Sequence, residues 1–177
     1  MNIRMYHDLE APLEEEIWTL GEEAAHTLPL DSNLAEEKAQ RAWDLIPEPK
    51  HTWGITGVTL HQYVQILNYN GHTQRSVELL NEEILDLEGA GYRIIHAEPY
   101  IQMAETLLHQ SNPVLAHEYL QKAYLIGSAR AFRDQPKLYQ EMAKSKSLDE
   151  QDILLQFAAL DVNAKLLSDL EDNQQPM

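Results

Sequence analysis

The chain has no cysteine, which excludes a disulfide framework, a thiolate zinc site and a cysteine nucleophile. Basic residues are scarce: 13 Lys and Arg stand against 29 Asp and Glu, a formal net charge of −16. A nucleic-acid backbone as partner is therefore not expected, because phosphate binding needs a basic footprint. Long apolar runs are also missing, and nothing approaches the roughly 18 apolar residues of a membrane span. Met1 to Glu10 carries no apolar core of a signal peptide, so the expected compartment is the cytoplasm. The acidic helices lack the basic flank that a membrane-surface helix requires, so no membrane partner is expected.

The motifs of catalysis are absent as well. Eight histidines invite a metal reading, yet no two stand at i, i+4 on one helix. His117-Glu118 is followed by Gln121 where a zincin helix places its second histidine. No phosphate-cradling glycine loop precedes a helix, and no serine sits in a nucleophile elbow. Carboxylates are so plentiful that pairing them as acid and base means nothing without geometry. The expectation is a protein that is not an enzyme and has no cofactor, metal or catalytic residue.

What is present is helix. The chain is 177 residues long and 44% apolar, enough for one sizeable core. Pro12 suits the first turn of a helix reaching about His26. Ser32 is placed to cap a second helix, which Pro47 and Pro49 end. A third runs from about Gly57 to Tyr69 and closes at the turn signal Asn70-Gly71. The fourth covers roughly Gln74 to Leu87, and the connection Gly89 to His96 carries Tyr92, Ile94 and Ile95, expected to tuck under its neighbours. Pro99 opens a fifth helix ending near His109, and Asn112-Pro113 opens a sixth toward Ile126. Pro136 begins a seventh. Ser147 with Glu150 forms a capping box for an eighth, striped by Ile153, Phe157, Leu160, Ala164 and Leu167.

Within this pattern one motif recurs. Ala35, Ala39 and Ala42 are followed by Ser76, Leu80 and Glu83, then by Ala116, Leu120 and Ala123. The copies are separated by 41 and 40 residues. A helical pair of that length cannot bury its apolar face alone, so copies stack. The expected fold is all-α: a short array of three helix pairs, at about 12–47, 57–88 and 97–127. Capping helices follow at about 136–170. The whole is read as one domain over 1–172 with a flexible tail at 173–177.

These offsets resemble the tetratricopeptide repeat, with Ala35, Ala39, Ala42 and the closing Pro47 in the second helix of the first pair. Leu20-Gly21 matches the first-helix signature, although the turn that follows is two residues longer. The third copy is cleanest, with Tyr100, Met103, Ala104, Leu107, Ala116, Leu120 and Ala123 on consensus positions. The second departs at Val64 and Glu83, where small residues are usual, which puts tight packing there in question.

The resemblance implies that the first helix of each pair lines a concave binding surface. It carries over to Glu15, Trp18, Glu22 and His26, to His61, Gln65, Asn68 and Tyr69, and to Glu98, Ile101, Glu105 and His109. Trp43 and Trp53 are expected to pack in the core or against loops. A narrower resemblance is to small bacterial tetratricopeptide-like immunity proteins of polymorphic-toxin loci. It is carried by Pro47-Glu48-Pro49-Lys50 with Trp53, and by Lys122-Ala123-Tyr124 with Gly127, Phe132 and Pro136-Lys137-Leu138-Tyr139. That implies a cytoplasmic antitoxin whose partner is a basic toxin domain. A secretion chaperone or a peptide-binding regulator of the same repeat type is the alternative.

Overall fold

A computed structural model describes residues 7–89 and 98–126. The chain divides into two compact units, Met1–Ile94 and Ile95–Met177. The first holds α1 (Ala11–Thr27), α2 (Ser32–Leu45), a 3₁₀ turn (Lys50–Thr52), α3 (Thr56–Tyr69) and α4 (Thr73–Gly89). The second holds α5 (Glu98–His109) and α6 (Pro113–Ile126). The described residues are thus all-α, arranged as three helical hairpins, with one isolated bridge between His7 and Trp53. Beyond Gly89, the apolar connection expected up to His96 lies outside the described residues. So do the capping helices at 136–170, the tail, and the stretch from Gly127 to Tyr139.

The forty-residue period has a backbone counterpart. In each hairpin the residue before the second helix offers its carbonyl to the small residue four positions on. Ala35 N–H donates to Asp31 at 3.0 Å, Ser76 to His72 at 3.4 Å and Ala116 to Asn112 at 3.1 Å. All three small residues are fully buried, as are Leu80, Leu120 and Ala123 further along the same stripes. Small side chains at the contact let two helices approach closely. Asp31, not Ser32, caps α2: its Oδ1 accepts from Leu34 N–H at 3.0 Å, and Ser32 is the first helical residue. An aspartate just outside the first turn satisfies the exposed N–H better than a serine already inside it.

Two of the turns are the same motif. After α3, His72 N–H bonds Leu67 O at 2.8 Å and Gly71 N–H bonds Asn68 O at 3.1 Å. After α5, Asn112 N–H bonds Leu107 O and Ser111 N–H bonds Leu108 O, both at 2.9 Å. This paired closure needs a left-handed residue after the cap. Gly71 supplies it at φ +79°, and Ser111 is driven there at φ +55°. The first hairpin lacks the motif; Leu30 and Asp31 N–H both fold back onto Thr27 O, accommodating the longer turn.

In the first unit α3 lies against both α1 and α2. Gly21 marks the approach of α1 to α3, since a Cβ there would sit 2.4 Å from the Gln62 amide oxygen. Ile17, Leu20 and Ala24 of α1, Ile46 after α2, and Tyr63, Val64 and Leu67 of α3 form the core with Leu79 and Leu80 of α4. The second pair is closed despite its departures from consensus. Val64 is buried, its carbonyl accepts the fully buried Ser76 hydroxyl at 3.5 Å, and Glu83 is also enclosed.

The Pro47–Trp53 stretch is a helix-end clamp. Lys50 Nζ donates to Ile46 O at 2.6 Å and to Trp43 O at 3.0 Å, the latter also accepting the Ile46 N–H at 3.2 Å. The same ammonium lies 5.1 Å from the Trp43 ring centroid. Trp53 donates its indole N–H to Pro47 O at 2.9 Å and meets His7 edge to face. Trp43 is buried and Trp53 half-buried, both in packing positions.

Candidate partner-binding face

α1 carries two stripes of acid with different fates. Glu16 and Glu23, two turns apart, are met by cations from α2: Arg41 Nη2 lies 3.3 Å from Glu16, and Lys38 is hydrogen-bonded to Glu23. That hydrogen bond and the lysine charge hold the Glu23 carboxyl below the usual carboxylate range. Glu15 and Glu22 stand one residue earlier in each case. Both are exposed, and no cation among the described residues reaches them.

Trp18 sits between these two carboxylates on the helix surface, three residues after one and four before the other. It is 44% exposed, in a helix whose Ile17, Leu20 and Ala24 are buried. His26 extends the stripe by one turn; it is exposed, with Nδ1 2.8 Å from the Glu22 carbonyl. The four residues assigned to the first pair therefore share one open face.

On α3 the assigned residues separate. Gln65 is exposed and Tyr69 is 66% exposed, while His61 is half-buried. Asn68 is almost completely buried, so it packs and does not face a partner. Tyr69 stands one residue before Asn70, whose amide donates to Ser32 O at 2.9 Å and Glu36 Oε2 at 2.6 Å. The Glu36 carboxylate also meets His72 Nδ1 at 2.8 Å. That cross-helix network, invisible to spacing along one helix, fixes the end of α3 beside the start of α2.

On α5 the expectation is corrected. Ile101 is fully buried and cannot meet a partner directly. Glu98 and Glu105 are half-buried and only His109 is exposed. Burial pushes the Glu105 carboxyl up to about 7. The reason lies in the composition around these positions: α5 also buries Gln102, Met103, Ala104 and Thr106, so packing surrounds most of the helix.

The cations of the described residues are already committed. Lys38, Arg41 and Arg75 pair with Glu23, Glu16 and Glu78. Lys50 seals the end of α2, and Lys122 lies 4.8 Å from the Tyr119 centroid and 6.0 Å from that of Tyr100. Among the described residues, no Lys or Arg is therefore left over for Glu15 or Glu22. Among the described residues no three His, Asp or Glu side chains converge as a metal-binding set, and no helix is long and apolar enough to cross a membrane. No family model, no curated protein and no solved structure matches this chain.

Proposed function

We propose that this chain is a non-enzymatic binding protein whose partner is a basic protein, docked on the open face of α1 with the exposed end of α3. The observation that carries the reading is Trp18, an exposed tryptophan between two carboxylates that no cation among the described residues meets. Trp is the side chain most enriched among interface hot spots, and unpaired acids at the rim speed encounter with a basic surface. In its most specific form the reading is an antitoxin: the acidic face covers a basic active site or substrate groove of a toxin domain and occludes it. The resemblance of the repeat and of the Pro47–Trp53 stretch to toxin-immunity proteins supports that form.

The test is to express the product of the adjacent reading frame alone and together with this chain. The expected result is growth arrest alone and rescue on co-expression. A product that is harmless, or toxic and unaffected by this chain, contradicts the immunity reading. A chaperone of the same repeat type would instead hold an extended client segment, so protease sensitivity of the complexed partner separates the two.

A further inference from the structure

We infer that Trp18, Glu15 and Glu22 form a docking site for one arginine side chain of the partner, an inference that rests on the reading of α1 as the binding face. On an α-helix the Cβ atoms at i−3 and i+4 lie about 5–6 Å from that of the central residue. Glu15 and Glu22 thus stand one turn before and one turn after Trp18 on the same helix face, about 10 Å apart along the helix axis. A guanidinium stacked on that indole has a carboxylate within reach on each side.

The charge of the site selects a cation, and its shape selects the type. Tryptophan gives the strongest cation–π attraction of the aromatic side chains. A guanidinium is planar, stacks on a ring face, is more weakly hydrated than ammonium and carries five N–H donors for two carboxylates. The chain's own cations show both halves of this arrangement separately. Lys50 and Lys122 lie over aromatic rings, while Lys38 and Arg41 pair with carboxylates of α1. At Trp18 the ring and two carboxylates occur together, and no cation of the described residues occupies the place. Trp43, by contrast, is buried and already holds Lys50.

The probe is the tripeptide Gly-Arg-Gly blocked at both ends, titrated into the full isotope-labelled chain while the three indole N–H signals are followed. The Trp18 signal, identified with Trp18→Phe, should shift and saturate, and those of Trp43 and Trp53 should stay in place. The lysine analogue should bind roughly threefold more weakly or worse. Glu15→Gln combined with Glu22→Gln should weaken the arginine peptide roughly tenfold, with the rest of the spectrum unchanged because both positions are exposed. Absence of saturation, equal affinity for the lysine analogue, or an unaffected double variant overturns the inference. A chain that fails this titration and still neutralises the adjacent toxin loses the arginine site alone. One that binds arginine and neutralises nothing keeps the site and loses the immunity reading.

Discussion

The first hairpin and the third follow the same small-residue stripe, yet they use their first helices in opposite ways. In α1 the outward stripe of Glu15, Trp18, Glu22 and His26 is open. At the corresponding positions of α5, Ile101 is buried and Glu98 and Glu105 are half-enclosed. The stripe on the second helix is nearly identical in both, with Ala35, Ala39 and Ala42 matched by Ala116, Leu120 and Ala123, all buried. The repeat therefore fixes how a hairpin closes on itself and leaves free which side of its first helix stays available.

The sharpest way to break this contrast is to truncate the central apolar residue of each helix. Ile101→Ala should cost about 2–5 kcal/mol of stability through a buried cavity. Trp18→Ala should cost less than about 1 kcal/mol, because its side chain is already partly in water. Urea denaturation of both variants checks this, and equal losses would mean that the two helices are packed alike.

The buried acid on α5 sharpens the same contrast. With its pKa pushed from 4.5 to about 7, the Glu105 carboxyl holds a proton in the folded chain that the unfolded chain releases. The folded form thus binds more protons between those values, and stability falls as pH rises from 4.5 through 7. The loss contributed is at most about 3 kcal/mol, complete above pH 7. Glu105→Gln should flatten that part of the stability profile, as thermal melts across this pH range would show; a profile as steep as that of the wild type would contradict it.

The turns offer a smaller difference. Gly71→Ala places a Cβ at φ +79° and should cost about 1 kcal/mol. Ser111→Gly relieves the same geometry after α5 and should gain about 0.5–1 kcal/mol. Smallest is the contrast between the two acid stripes of α1. Glu16→Gln with Glu23→Gln removes two exposed ion pairs and should lower stability only slightly. Glu15→Gln with Glu22→Gln should leave stability unchanged and slow partner association several-fold at low salt, the difference shrinking as salt screens it. Stopped-flow association at two ionic strengths reads this directly.

Much of the fold was legible because its determinants are local. Proline at helix starts, the Asn70-Gly71 turn and alanines repeated at a fixed interval all act within a few residues, and the ends of α1 to α6 fell within one or two positions of expectation. The exposure of the candidate face was legible on α1, where a stripe at i, i+3 and i+7 lies opposite a run of buried residues. It was not legible on α5, where burial extends around most of the helix and the pattern of residues along it does not show that Ile101 and Glu105 are enclosed. Nor was the pairing of Glu16 and Glu23 with Arg41 and Lys38, a cross-helix match that sets them apart from Glu15 and Glu22. That match decides which acids of α1 meet no cation among the described residues.

The most direct test of the proposed α1 face is the affinity of the purified adjacent-frame product, the proposed toxin, for the wild-type chain and for Trp18→Ala, measured by calorimetry. At least a tenfold loss of affinity with a melting temperature lowered by no more than a few degrees is the predicted result. Binding as tight as that of the wild type would contradict it.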